Sequence, residues 1–160
     1  MTPAGGRPGG APSSPAAAGT TKPGSPPDEP HTYQVRTEDD LLTVRHAVRA
    51  ASQDLGFPLV DQTRVVTAAS ELARNALVHG GGGTVAVEPL HRPGGVGLRL
   101  VVSDKGPGIA DLEGALTDGF TTGSGLGHGL GGAQRLMHTF DVCSSPGAGT
   151  TITAVRWRTR

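Results

Sequence analysis

The chain has 160 residues, enough for one domain with a core, and its 14 basic and 14 acidic side chains cancel. That neutrality removes the bulk electrostatic case for a nucleic-acid partner. No apolar run reaches the length a membrane-spanning helix needs, so no membrane association is expected. The lone cysteine, Cys143, excludes an intramolecular disulfide. It stands in an apolar-alternating run, which predicts a packed thiol rather than a nucleophile. These bounds describe a cytoplasmic protein.

Residues 1–30 are almost entirely Pro, Gly, Ala, Ser and Thr, with no Leu, Ile, Val or aromatic residue. Such a segment cannot bury enough apolar surface to offset its ordering entropy. It predicts a disordered tail, and it lacks the apolar region of a signal peptide. The folded domain is expected over residues 31–160. "HTYQVR" alternates enough for a short strand. "TEDDLLTVRHAVRAASQDLGF" reads as a helix: Thr37 is a plausible N-cap, acids crowd the first turn and Gly56 follows the end. Leu41, Leu42, Val44, Ala47, Val48, Ala51 and Leu55 give it one apolar face.

"PLVDQTRVVTAASELARNALVHGGGG" predicts a second helix, with Asp61 as candidate cap and the glycines from Gly80 as its stop. Its apolar residues cover much of its circumference, so it is expected to be buried against a sheet. "TVAVEPL" and "GVGLRLVVSD" are strands around the turn "HRPGG". A short helix is expected after Asp111. "LGGAQRLMHTF" is a further helix, and "DVCSS" and "TTITAVRW" close the chain as strands around "PGAG". Strands joined by tight turns pair antiparallel, so the expected class is an α+β two-layer sandwich. Helices lie on one face of a mixed, mostly antiparallel sheet.

Three features carry chemistry. Glu71 and Asn75 lie four apart on the second helix and project from one face. A carboxylate there can act as a base and a carboxamide oxygen can ligate a hard cation such as Mg²⁺; a solvated polar stripe is an equal reading. Asp104 closes a strand before Gly106 and Gly108. It can accept from an amine while the glycines admit a flat ring, or simply cap a turn. Gly125, Gly127 and Gly129 feed a helix N-terminus, where free N–H groups and the helix dipole favour anions. This run does not follow a first strand in a βαβ unit, and no Gly-Lys-Ser/Thr is present, so it is neither a dinucleotide fingerprint nor a Walker loop.

In this order the three features resemble the ATP-binding fold shared by gyrase-type ATPases, Hsp90, histidine kinases and the anti-sigma-factor kinases, known as the GHKL or Bergerat fold. "ELARNALVHG" resembles its asparagine box, "DKGPGI" its adenine-contacting box and "GSGLGHGL" its lid glycines. With "DGFTTGSGLGHGLGGAQRLMHTF" and "GTTITAVRW", the chain is similar throughout residues 33–157 to the RsbT-type switch kinases of bacterial stress signalling. The resemblance implies ATP and Mg²⁺ as cofactors and serine/threonine phosphorylation of a STAS-domain protein. A phosphatase that it activates, or a sigma factor, is the further partner it implies. It implies Glu71 as general base, Asn75 as Mg²⁺ ligand, Asp104 on the adenine amino group, and Gly106 and Gly108 beside the ring. The lid positions Gly123, Gly125, Leu126, Gly127, His128 and Gly129 would surround the phosphates, and Thr151 would supply a hydroxyl near adenine.

His128 and Gly131 depart from that pattern, since relatives carry a small residue at the first and some carry proline at the second. His128 either touches phosphate or faces solvent. His79 reads as a helix-end residue, and Arg74 and Lys105 as surface cations. The six histidines show no zinc spacing. Alternatives to the kinase are an anti-sigma factor that sequesters a sigma subunit, a histidine-kinase catalytic domain, and a non-kinase ATPase. The third would need a helical segment with an acceptor histidine, and the fourth a transducer domain.

Overall fold

The computed structural model describes residues 29–108 and 129–159. The tail over residues 1–28, the short helix expected after Asp111 and the lid positions 123–128 lie outside the described residues. The elements are β1 (His31–Val35), α1 (Glu38–Asp54), α2 (Leu59–Val78), β2 (Gly83–Arg92), β3 (Gly95–Asp104), α3 (Gly129–Leu136), β4 (Thr139–Ser145) and β5 (Gly149–Trp157). The five strands form one sheet in the order β1-β2-β3-β5-β4. Every described pair is antiparallel, so the sheet carries none of the parallel pairing that a mixed sheet would have.

Strand alternation sorts the two faces. Val85, Val87, Leu98, Leu100, Val102, Ile152 and Ala154 point to one side and are buried with Val44, Val48, Val65 and Leu72 of the helices. Each fully buried Val or Leu contributes about 1.5–3 kcal/mol relative to exposure. The opposite face carries Ser103, Thr151 and the cross-strand ion pair of Arg99 with Glu88. The expected helix faces hold for α1 except at Leu42, which is 51% exposed. Cys143 is exposed rather than packed. It sits out of phase with Val142 on the edge strand β4, and only the in-phase residues meet the core.

α1 starts as its sequence predicts. Asp40 N–H donates to Thr37 Oγ1 at 3.3 Å and Thr37 N–H to Asp40 Oδ2 at 3.0 Å, a reciprocal capping box. α2 does not. Pro58 takes the N-cap position with no side-chain bond, its fixed φ of −59° suiting a helix start. Asp61, the expected cap, lies inside the first turn, 1% exposed. It binds Arg156 Nη2 at 2.7 Å and the Thr159 N–H at 2.9 Å. The other guanidinium arm of Arg156 donates to Leu136 O at 2.7 Å. One buried ion pair therefore joins the start of α2, the end of β5 and the end of α3. Close by, His138 Nδ1 accepts from the Trp157 N–H at 2.8 Å. Burial and the Arg156 charge hold the pKa of His138 below its usual value.

Burial alone would raise the Asp61 pKa, but hydrogen bonds from Thr159 and Arg156 outweigh it and bring the carboxyl down from 3.8 to about 2. A depressed carboxyl stabilises the fold fully above its unfolded pKa and loses that contribution as pH falls through the folded one. Stability should therefore drop by about 2 kcal/mol through this group as pH falls from 4 to 2. Asp61→Asn should remove that acid step and weaken the fold at neutral pH by about 3 kcal/mol, because Arg156 stays buried without its counter-ion. Denaturant unfolding of both proteins across this pH range checks it. Parallel pH profiles would show that the pair is not the source.

Candidate nucleotide and phosphotransfer site

The site is built where the C-terminal end of α2 meets the end of β3. Glu71 and Asn75 lie one turn apart on α2, and both are half-buried. Among the described residues neither side chain has a hydrogen-bond partner. Half-buried and without a protein partner, both groups are accessible to a ligand. Asn75 O accepts the His79 N–H at 2.9 Å, and Ala76 O accepts from Gly80 at 3.1 Å and from Gly82 at 2.9 Å, which closes the helix. His79, Arg74 and Lys105 are exposed.

Gly80 then passes directly over Asp104. A Cβ on Gly80 would lie 2.5 Å from Asp104 Cβ, and one on Gly106 would lie 2.6 Å from Gly80 Cα. Gly108, at φ +82°, has the Ser145 carbonyl in its Cβ position. The first glycine burst is thus required by chain packing on chain. Gly106 closes on the end of α2, and Gly108 on the β4–β5 turn, where Gly147 N–H donates to Pro107 O at 2.7 Å.

Asp104 serves partly as the turn cap its sequence suggests. Its Oδ1 accepts the Gly106 N–H at 2.9 Å. Oδ2 has no partner among the described residues and remains open to a donor. Asp104 pairs across the sheet with Thr150, so the two share the helix-side face. Thr150 is 4% exposed and its hydroxyl lies 2.9 Å from Ser144 Oγ. Thr151, the expected adenine-side hydroxyl, points to the opposite face, exposed, 3.3 Å from Ser103 Oγ. A one-residue step along a strand reverses the face, so the hydroxyl beside Asp104 is that of Thr150. The signal was in the sequence: Thr150 is in phase with the core residues Ile152 and Ala154, and Thr151 is not. Ser144 and Gly80 were likewise missed as parts of this corner.

Of the lid positions, Gly129 is described. It opens α3 at φ +64°. α3 lies against α2 through a buried side made of Leu130, Gly131, Gly132 and Ala133. The small residues let the two helices approach, so Gly131 fits here without the proline of some relatives.

A carboxylate and a carboxamide on α2 now stand above an Asp at the end of an antiparallel strand, and Gly129 opens a third helix packed on α2. The sequence profile described as "Histidine kinase-, DNA gyrase B-, and HSP90-like ATPase" matches residues 60–160. The chain belongs to this ATPase family. It is 43% identical over 124 residues to "Serine/threonine-protein kinase RsbT" of Bacillus subtilis (strain 168), covering 78% of this chain and 93% of that protein. Its place in the family is therefore on the branch of RsbT-type serine/threonine-protein kinases. It is 28% identical over 117 residues to "Anti-sigma F factor" of Thermoanaerobacter sp. (strain X514), covering 71% of this chain and 82% of that one. A chain of the crystal structure of the SiaB-SiaC complex from Pseudomonas aeruginosa is 12% identical with a TM-score of 0.46, covering 79% of this chain and 88% of that chain. That last likeness is too distant to bear on function.

Membership of an ATPase family implies ATP, and the donor set suits Mg²⁺ beside it. The open carboxamide oxygen of Asn75 is a hard ligand of the kind Mg²⁺ accepts while keeping several waters. Among the described residues no helix is long and apolar enough to cross a membrane.

The packing at the corner makes its own prediction. Gly106→Ala forces a methyl into the Gly80 backbone, an overpacking that should lower unfolding free energy by about 1–3 kcal/mol. Denaturant titration of the purified variant measures it. Wild-type stability would mean that α2 and the end of β3 do not touch as described.

Proposed function

We propose that the chain is a protein serine/threonine kinase of a bacterial partner-switching module, transferring the γ-phosphoryl group of ATP to a Ser or Thr of a STAS-domain protein in the cytoplasm. The observation that carries this reading is the open Glu71–Asn75 pair on α2, one end of which packs on Asp104. The 43% identity to a serine/threonine-protein kinase supports it.

Each residue takes a separate task. Asp104 Oδ2 accepts a hydrogen bond from the adenine amino group, and Thr150, rather than Thr151, is the neighbouring hydroxyl. Asn75 would hold Mg²⁺ through its carboxamide oxygen. When bound, the ion neutralises phosphate charge. Gly129 offers its N–H to the phosphates at the start of α3. Glu71 takes the proton from the partner's hydroxyl as that oxygen bonds to the γ-phosphorus. The bond from the γ-phosphorus to the bridging oxygen breaks, and ADP leaves with that oxygen. A phosphatase partner follows from the same module.

Glu71 acts only in transfer, where a general base is worth about 10²–10⁴-fold, or roughly 3–5 kcal/mol of barrier. Glu71→Gln should bind Mg-ATP normally and transfer phosphate at least about a hundredfold more slowly. Asn75→Ala should lose Mg-ATP affinity and transfer together. Nucleotide calorimetry beside a radiolabel transfer assay separates the two. A Glu71→Gln protein that labels its partner at the wild-type rate would reduce Glu71 to a polar stripe.

A second reading, in which the chain sequesters a sigma subunit, draws on the 28% identity to an anti-sigma factor. The two differ in the dominant partner. Pull-down with purified STAS-domain and sigma proteins should favour the STAS domain, and capture of sigma alone would favour the second.

A further inference from the structure

Glu71 is not isolated on its helix. At about 100° and 1.5 Å per residue, Val60, Arg64, Thr67, Glu71, Arg74 and Val78 of α2 fall within an arc of about 80° and along about 27 Å of axis. Apart from half-buried Glu71 these residues are exposed. Val60 and Val78 are 59% and 58% exposed, two of four large exposed hydrophobic residues among those described. The other two, Leu42 and Leu59, lie off this stripe. Among the described residues neither Arg64 nor Arg74 forms an ion pair or a side-chain hydrogen bond.

We propose that this stripe of α2 is the docking surface for the phosphate-accepting protein, and that it selects a partner with acidic side chains flanking the acceptor hydroxyl. The inference rests on the reading of Glu71 as the base. A hydroxyl that gives its proton to Glu71 must come within about 3 Å of it, so the partner lies over whatever surrounds Glu71 on that side of α2. What surrounds it is two arginines without a partner among the described residues, with an exposed valine beyond each.

The spacing makes the match specific. Arg64 lies about 10 Å from Glu71 along the axis in one direction and Arg74 about 5 Å in the other. The acceptor hydroxyl itself is neutral and meets the carboxylate without charge repulsion. Acidic groups on either side of it meet guanidinium forks that bind carboxylates in two-point fashion. The valines close the two ends with apolar contact. A length of about 27 Å matches the roughly 30 Å breadth of a standard interface patch of about 800 Å² per partner. Arginine is also among the residues that most often dominate such patches.

The test uses the full chain, Mg-ATP labelled in the γ-phosphate, and the purified STAS-domain protein that wild type labels most strongly. Arg64→Glu/Arg74→Glu should raise the KM for that protein tenfold or more while ADP affinity and melting temperature stay at wild-type values. Added salt should raise the wild-type KM and affect the variant far less, because screening acts on exposed charges. Val60→Ser/Val78→Ser should raise KM in the same way without the change in salt response. An unchanged KM in both double variants would overturn the docking surface and leave the kinase reading standing. A parallel loss of ADP affinity in the arginine variant would also overturn it, by moving the arginines to the nucleotide. Absence of any labelling by wild type would instead overturn the kinase reading, and the inference with it.

Discussion

Just past α2, the backbone of Gly80 rests on the side chain of Asp104 and against the backbone of Gly106, with no room for a Cβ on either glycine. This contact fixes where the helical layer meets the sheet. It turns the end of α2 down onto β3, sets Asp104 at the floor of the corner and leaves Asn75 one turn above it. The Asx-type bond from Gly106 to Asp104 Oδ1 holds one carboxylate oxygen in place and leaves the other open. Pre-set polar groups of this kind let a site bind without reorganising.

The opposite end of α2 is held by different physics. There a buried ion pair, Asp61 with Arg156, carries Thr159 and the last carbonyl of α3 in the same cluster. Such a pair is expensive to desolvate and contributes less to net stability than to geometry. Its effect here is to tie α2, β5 and α3 at one point. With its start held by charge and its end by close packing, α2 presents Glu71 and Asn75 from a rigid span. α3, which follows the lid segment, is anchored through the same arginine.

Much of this was legible in the sequence. Apolar periodicity of 3.6 and of 2 placed α1, α2 and all five strands, and Thr37 followed by acids marked where α1 begins. What was not legible depended on partners distant in the chain. Asp61 looked like a cap because capping is a local pattern, whereas Arg156 lies 95 residues away. Cys143 looked packed because neighbouring apolar residues suggested burial, but strand phase put it outward. The glycines of "DKGPGI" looked like space for a ligand, and the space is filled by Gly80 and the Ser145 turn. The family resemblance points to Thr151, whereas the in-phase pattern of Ile152 and Ala154 points to Thr150. The same alternation rule corrects both Cys143 and Thr151, and it needs only the register of one hairpin.

The central claim is that nucleotide sits on the helix-side face of the sheet, at the corner of Asp104 and the end of α2. Intermolecular NMR contacts between adenine protons of Mg-ADP and ¹³C-labelled threonine methyls test it directly. The account predicts a contact to the Thr150 methyl and none to that of Thr151. A contact to Thr151 alone, on the opposite face, would contradict it.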